Sequence, residues 1–373
     1  MNNDFSYKFG AVMGVQNDRI FYQATVPFRV LSSMLKLDDS FDVTKRSQRL
    51  VNKGRGRAVA KYLQKNIDGF YVIPPLVGFI EGDFEFEKVP LDGFEGLGRM
   101  KVSLDSRFKL FDGQHRAFGI REAIAIAPEL AQQNVSIMFF DGLTLSQRQQ
   151  AFHDINFTQK TPAAALCIAY NERDALDKAV IHTFNQSNLR GFIEYEKNVA
   201  SGDSSCVYSL KTLKDFAINV IGTKELTDTN LALLECYTSA LFGTVNIPGY
   251  ITYIELINKQ FAKFGFNAAK SIREHYIIGH AVTLKALGLL AKPLMDTYPD
   301  DWPSRLMRLK DLSLWIKNSD EWRNRCVDPH DKMLSNAQAV RLTLYKLKEL
   351  CGMALSDDEQ QESDSYFLAL TAA

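Results

Sequence analysis

The stretch FDGQHRAFGI, residues 111–120, carries an acid, a glycine, an amide, an imidazole and a guanidinium in the consecutive positions 112–116. The largely apolar run Phe108–Phe111 predicts a short strand, and Ala117–Ala127 predicts a helix. The polar residues therefore lie where the strand ends and the helix begins. The first amide groups of a helix lack partners within it and lie at the positive end of its dipole, so this position suits an anion.

The side chains of this turn have a chemistry that suits phosphate. Gly113 allows a positive φ and a close approach of the backbone, and Arg116 can bind a phosphate through two hydrogen bonds. His115 can donate a hydrogen bond or move a proton near neutral pH, and Asp112 can orient it. The pattern predicts phosphate or nucleotide binding by Gly113, Gln114, His115 and Arg116, with Asp112 and His115 as catalytic candidates. The alternative is a polar turn whose side chains only cap the helix and pair with each other.

The surrounding pattern predicts an α+β fold. Strands are expected at Arg19–Val26 and Val135–Phe140, and a β-hairpin is expected from Asp83–Val89 and Met100–Leu104, with a glycine-rich joint between them. The strand before the turn, the helix after it and Val135–Phe140 have the order of a βαβ unit, which leaves ligands at strand carboxyl ends. The spacing predicts a mixed domain over 1–165, an all-helical domain over 166–355 and an acidic tail over 356–373 that is disordered at its start.

A second helix follows this strand. Thr144 and Gln147 fit a capping box, which predicts a helix that runs to about Ile155. His153, Asp154 and Asn156 lie at its end, where such residues are common for structural reasons. We expect His153 to be structural, whereas Asn156 is either structural as well or a phosphate-binding residue at the edge of the same pocket.

A basic segment precedes the turn in the chain. Residues 45–65 contain eight Lys or Arg residues and no acid, with glycines at 54 and 56 that predict a break between two helices. Helical spacing puts basic stripes on both helices, as expected of a surface that meets a DNA backbone. The predicted DNA-binding residues are Arg46, Arg49, Lys53, Arg55, Arg57 and Lys61. The segment could instead be a solvated face, or Arg49 or Arg55 could fold back towards Asp112–Arg116.

Composition adds a charge asymmetry. The net charge is zero, but 356–373 holds five acidic residues and no basic ones, which leaves 1–355 at +5. The five cysteines are scattered and form no C-x-x-C pair, so we expect reduced thiols and no metal site. The N-terminus resembles no signal peptide, and the apolar run 276–295 contains a histidine and two lysines. These features predict a cytoplasmic protein without a membrane partner.

Three motifs resemble those of the DGQHR-domain proteins, and in particular the DndB family encoded beside the DNA phosphorothioation enzymes. The resemblance covers about residues 10–175. It is carried by Gln48–Arg55 with Ala60–Leu63, by Asp112–Arg116, and by Phe152–Asn156 with Thr158 and Pro162. It implies a DNA-binding repressor of the modification genes, with duplex operator DNA, a second copy of the chain and other phosphorothioation proteins as partners. More remotely, it implies a ParB/sulfiredoxin-like fold, in which a related glycine–His–Arg turn holds a nucleotide phosphate.

Two functions follow from these residues. The first is the repressor, with the basic segment on DNA. The second is an ATP hydrolase or a DNA-nicking enzyme built on Asp112–Arg116, with ATP and Mg²⁺ as cofactors. The residues alone leave catalysis open, because no carboxylate pair for two metal ions is evident.

Overall fold

The computed structural model describes residues 5–37, 51–157, 161–244, 247–248 and 268–371. The chain divides into two compact units, Met1–Lys160 and Thr161–Ala373. Both helices and a mixed sheet are present, so the α+β class is confirmed. No helix among these residues has the length and apolar character needed to cross a membrane.

Unit 1 is built on a seven-stranded sheet with the order β4-β5-β1-β2-β7-β3-β6. Its strands are β1 (Ser6–Gln16), β2 (Arg19–Pro27), β3 (Leu76–Glu81), β4 (Phe84–Lys88), β5 (Leu97–Ser103), β6 (Arg107–Asp112) and β7 (Asn134–Phe140). Neighbours are antiparallel except β3 and β7, which run parallel. The expected hairpin is confirmed as β4 and β5.

Alternating side chains give the sheet one buried face. In register across β1, β2 and β7, Ala11, Ala24 and Ile137 are all buried, whereas Val12 and Gln23, one step along, lie on the opposite face. Such alternation is expected when one face of a sheet packs on a core.

The helices of unit 1 are α1 (Phe28–Met34), α2 (Lys53–Lys65), α3 (Gln114–Ile126) and α4 (Leu145–Phe157). A short 3₁₀ turn, Pro128–Gln132, connects α3 to β7. α2 and α3 pack closely, because Gly56 lies against the Phe118 ring and a Cβ at Gly119 would stand 2.6 Å from the Gly56 carbonyl oxygen.

Two expectations for this unit are wrong. Gly54 and Gly56 do not break a helix but lie in the first turn of α2, where Gly56 is needed for close packing. The helix predicted before these glycines falls mostly on residues 45–50, which lie outside the described residues. The strand–helix–strand sequence around α3 is not a parallel βαβ unit, because β3 lies between β6 and β7 and runs antiparallel to β6. Neither feature has a local signal, since both depend on partners distant in sequence.

Unit 2 is mainly helical. Its helices are α5 (Ala164–Ala169), α6 (Ala175–Asn185), α7 (Leu210–Ile221), α8 (Asp228–Phe242), α9 (Ala268–His275), α10 (Ala281–Thr297), α11 (Trp302–Leu306), α12 (Ala337–Leu350) and α13 (Asp357–Thr371). Within the described part of this unit, 3₁₀ turns lie between the helices at Ile277–Gly279, Met307–Lys310 and Leu312–Trp315. Its core contains Trp315 and Trp322, fully buried and stacked with ring centroids 6.1 Å apart.

Two further expectations need correction. The unit is not entirely helical, because it contains two strand pairs, β8 (Ile193–Glu194) with β9 (Tyr208–Ser209) and β10 (Gly243–Thr244) with β11 (Ile247–Pro248). The acidic segment is helical from Asp357 rather than disordered at its start.

Candidate functional site

The Asp112–Arg116 turn joins β6 to α3. β6 ends at Asp112, Gly113 follows with φ 92° and ψ 8°, and α3 begins at Gln114. A side chain at Gly113 would be strained by this φ and would collide with Leu76, so only glycine fits. The Gly113 carbonyl accepts the first bond of the helix, from the Ala117 amide at 2.8 Å. The sequence thus places the polar residues at a strand-to-helix junction, as predicted.

Arg116 is held within the chain. Its guanidinium forms an ion pair with Asp112 and also donates a hydrogen bond to the Pro74 carbonyl at 3.2 Å. Both side chains of the pair are about four-fifths buried, with exposures of 21% for Arg116 and 22% for Asp112. Arg116 therefore fastens the segment that enters β3 onto the turn, whatever further role it has.

His115 connects the turn to α2. The backbone N–H of Asn52, which caps α2, donates to Nε2 of His115 at 3.0 Å. This bond requires that Nε2 carry no proton, since a doubly protonated imidazole has no acceptor. Gln114 is 4% exposed, so its amide is part of the interior and not of an open surface.

α2 and α3 run in the same direction. The contact of Asn52 with His115 lies at the start of both helices, and the contact of Gly56 with Gly119 lies one turn further along both. The two amino termini therefore lie side by side. Their dipoles add at one place, and neither helix has an acidic residue in its first turn.

The basic residues of α2 are exposed to solvent. Among the residues that the structure describes, none of these side chains forms an ion pair or a side-chain hydrogen bond. They are Lys53, Arg55, Arg57, Lys61 and Lys65. Lys53 and Arg55 lie in the first turn, where a helix dipole disfavours cations. The five basic residues of α2 therefore form a positively charged surface that no acidic side chain neutralises within the described part of unit 1.

The structure brings only some of the predicted residues together. Asp112 to Arg116 and the start of α2 form one region, whereas Arg46 and Arg49 lie outside the described residues. The same holds for the side chain of Asn156, whose backbone belongs to α4.

The start and end of α4 follow the sequence patterns. The Thr144–Gln147 capping box is confirmed, because the Thr144 amide donates to Gln147 Oε1 at 2.9 Å and the Gln147 amide donates to Thr144 Oγ1 at 3.3 Å. His153 and Asp154 are both exposed and lie 3.3 Å apart, at Nδ1 and Oδ1. They form a local pair near the end of the helix.

Sequence reasoning missed Asn52 and Pro74, the backbone partners of His115 and Arg116. A cap residue directly before a helical run is a signal for Asn52, whereas the 42-residue separation of Pro74 from Arg116 leaves no local signal. Within the described ranges, no group of three or more His, Cys, Asp or Glu side chains is placed to hold a metal ion.

The family comparison covers both units. A family model described as DndB, DNA-sulfur modification-associated, matches residues 9–354. No curated protein and no solved structure matches the chain.

Proposed function

Because this chain belongs to the DndB family of DNA-sulfur modification-associated proteins, we propose that it is a DNA-binding repressor of a phosphorothioation gene cluster. Its partners would be duplex operator DNA, a second copy of the chain on a two-fold operator, and other proteins of the same cluster.

The unpaired cations of α2 carry this proposal. These five cations have no acidic partner among the described residues, so their charge is not neutralised there. A phosphate backbone would supply the missing charge, and neutralisation of phosphates provides most of the non-specific affinity for DNA. The contact surface proposed is Lys53, Arg55, Arg57 and Lys61, together with Arg46 and Arg49 from the preceding segment.

The Asp112–Arg116 turn supports that surface in two ways. His115 holds the cap residue of α2 in place through the Asn52 amide, and Arg116 anchors the turn itself. The paired amino termini of α2 and α3 favour an anion at their shared end, and we assign a DNA phosphate there. In this arrangement Gly113 and Gln114 either donate backbone N–H groups to the phosphate or line the space beside it. Arg116 contacts the phosphate only if its ion pair with Asp112 opens.

The test compares two fourfold variants of the full chain. One replaces Lys53, Arg55, Arg57 and Lys61 with Gln. Its control replaces Lys211, Lys270, Arg323 and Arg341, each of which has an acidic partner in unit 2. Both lose two lysines and two arginines. Affinity for duplex DNA from upstream of the modification genes is measured as a function of salt concentration.

In the α2 variant the negative slope of log affinity against log salt should become shallower by about 3.6, since each of the four phosphate contacts removed contributes roughly 0.9. The control should leave the slope near its original value. Equal slopes for the two variants would remove α2 from the DNA interface. Circular dichroism of both variants checks that they are folded.

An ATP hydrolase or nicking enzyme would use the same turn, so it is tested on the same protein. ATP and Mg²⁺, or supercoiled plasmid and Mg²⁺, are incubated with the full chain and with the Arg116→Ala and Asp112→Asn variants. Turnover that both substitutions abolish would assign the turn to catalysis. Turnover that neither changes would place the activity elsewhere.

A further inference from the structure

The acidic helix α13 lies on cations of unit 2. Arg341 of α12 donates to Glu362 of α13 at 2.8 Å, and Lys348 of α12, which is 8% exposed, pairs with Glu359. Arg341 and Lys348 are seven positions apart, so they lie on one face of α12. α13 itself holds five acidic residues and no basic one: Asp357, Asp358, Glu359, Glu362 and Asp364.

A third cation lies beneath α13. The Arg325 guanidinium lies 4.6 Å from the centre of the Phe367 ring, which belongs to α13. Its Nη1 atom is shielded from solvent and has no hydrogen-bond partner among the described residues. The acids near Arg325 are Glu321 and Glu349, and both pair with Lys346. A shielded guanidinium without a full set of acceptors is costly, so an anion in place of the ring would stabilise it.

Few apolar contacts hold α13 in place. Among the α13 side chains that the structure describes, only Ser363 is buried. Tyr366 and Phe367 are half-buried against the core of the unit. The Arg341–Glu362 pair is partly open to solvent, with side-chain exposures of 46% and 32%, and such pairs contribute little stability. Loss of the ion pairs can therefore detach α13 while the core of unit 2 stays folded.

The contacts of α13 indicate which anion can replace it. Glu359 and Glu362 are one helical turn apart and bring two carboxylates to cations along one face of α12. A replacement needs several negative charges in a row, which a phosphodiester backbone has and a single phosphate lacks. An arginine can bind each phosphate through two hydrogen bonds. Arg308 continues the row past the end of α12: it is exposed, lies beside Gly352 and has no ionic partner among the described residues.

We propose that Arg325, Arg341 and Lys348 form a second DNA-binding surface, which α13 occupies as an internal substitute for the phosphate backbone. The pairs with Glu359 and Glu362 hold α13 there, so these cations make no phosphate contact until the pairs break. This inference rests on the proposed function, because it takes DNA as the ligand of the chain. The surface is distinct from that on α2, since it lies in unit 2 and is covered.

The experiment releases α13 in the full chain. The released variant carries Glu359→Gln and Glu362→Gln, which remove both ion pairs. Its control carries Asp357→Asn and Asp364→Asn, which remove the same charge from exposed positions without an ion pair among the described residues. Affinity for duplex DNA of unrelated sequence is measured as a function of salt concentration.

The released variant should bind DNA more tightly than the control. Its slope of log affinity against log salt should be steeper by about 1.8 to 2.7, since two or three new phosphate contacts contribute roughly 0.9 each. Adding Arg341→Gln and Lys348→Gln to the released variant should bring the slope back to within about 0.9 of the control. Circular dichroism checks that all variants are folded.

Hydrogen exchange shows whether α13 has been released. Its amides should lose protection in the released variant and keep it in the control. The proposal is overturned if α13 stays protected in the released variant, if released and control variants bind DNA equally, or if removing Arg341 and Lys348 does not reverse the gain. Equal binding by released and control variants, together with binding that depends on α2, would refute the second surface alone. A lack of DNA binding by the parent and every variant would refute the proposed function as well.

Discussion

The helix pairs α2–α3 and α12–α13 each include a helix rich in lysine and arginine, but among the residues described the basic side chains of α2 form no ion pair, whereas those of α12 do. Two cations of α12 pair with glutamates of α13: Arg341 with Glu362 at 2.7 Å, and Lys348 with Glu359. Lys346 pairs with Glu321 at 2.5 Å. On α2, none of the five cations has an ionic partner among the residues described, and the contact with α3 is made by Gly56 and Gly119.

This difference separates two uses of a positive charge. Arg341 and Lys348 of α12 attach the acidic helix α13 to the unit, and Lys346 pairs with Glu321, so the charge of all three is neutralised within the fold. The packing of α2 against α3 needs none of its cations, and their charge remains available to an external anion. A run of basic residues therefore says little about DNA binding until its partners are known, since surface pairs of this kind consume the charge at little gain in stability.

The largest expected effect tests the packing of α2 on α3. In Gly119→Ala, the new Cβ would lie 2.6 Å from both the Gly56 carbonyl oxygen and Val59 Cβ, so one helix must shift. We expect the free energy of unfolding to fall by about 2 kcal/mol, from overpacking of about 1–3 kcal/mol less a small gain in helix propensity. Urea unfolding followed by circular dichroism measures it.

Gly10→Ala is the matched control for this substitution. A Cβ at Gly10, in β1, meets nothing within 4 Å, and its φ is not in the left-handed region. The stability of this variant should stay within about 0.5 kcal/mol of the parent. A Gly119→Ala protein as stable as Gly10→Ala would mean that the close approach of α2 and α3 is not required.

Much of unit 1 could be predicted from local patterns. The strand-to-helix junction at Gly113, the β4–β5 hairpin and the cap at Thr144 depend on residues a few positions apart, and all three were found. The glycines of α2 were misread because a helix break and a close helix contact use the same residue. The predicted βαβ unit is wrong because β3, which separates β6 from β7, pairs with both through contacts distant in sequence.

The candidate site shows the same division. Sequence analysis found the polar residues of the turn and the basic residues of α2, since both are contiguous in the chain. It offered the pairing of Arg116 with Asp112 only as an alternative, and it did not find the bond of Arg116 to the Pro74 carbonyl, because that contact follows from the fold. It also could not distinguish the unpaired cations of α2 from the paired cations of α12, because both helices are rich in Lys and Arg and the sequence does not show which of these side chains have partners.

The next effect concerns the pairing of α12 with α13. Hydrogen bonds from Arg341 and then from Tyr345 hold the pKa of Glu362 below its usual range. A carboxyl with a lowered pKa contributes stability that is complete above its ordinary pKa and is lost as the pH falls through the folded-state value. Acidification should therefore loosen α13, with an upper limit of about 1 kcal/mol for an exposed pair.

Hydrogen exchange of the α13 amides, corrected for the intrinsic pH dependence of exchange, measures this loosening. Protection in α13 should fall up to about fivefold between neutral pH and pH values below the ordinary range of a glutamate, while protection in α2 should not follow the same change. In Glu362→Gln, α13 should be less protected at neutral pH and should respond less to acid. An identical acid response in this variant would assign the pairing to other residues.

The smallest effect distinguishes the two ends of α2. Lys53→Glu puts an acid in the first turn, where the helix dipole favours it, and should raise the free energy of unfolding by about 0.5 kcal/mol. Lys65→Glu makes the same charge change in the last turn and should lower it by a similar amount. Lys53→Glu should weaken DNA binding and reduce its salt dependence, because it removes a proposed phosphate contact, and Lys65→Glu should also weaken binding, because it lowers the positive charge of the same helix. If Lys53→Glu is more stable and Lys65→Glu less stable than the parent while both bind DNA more weakly, Lys53 is retained against the preference of its own helix. If Lys53→Glu is instead less stable than the parent, this lysine already has a partner inside the fold.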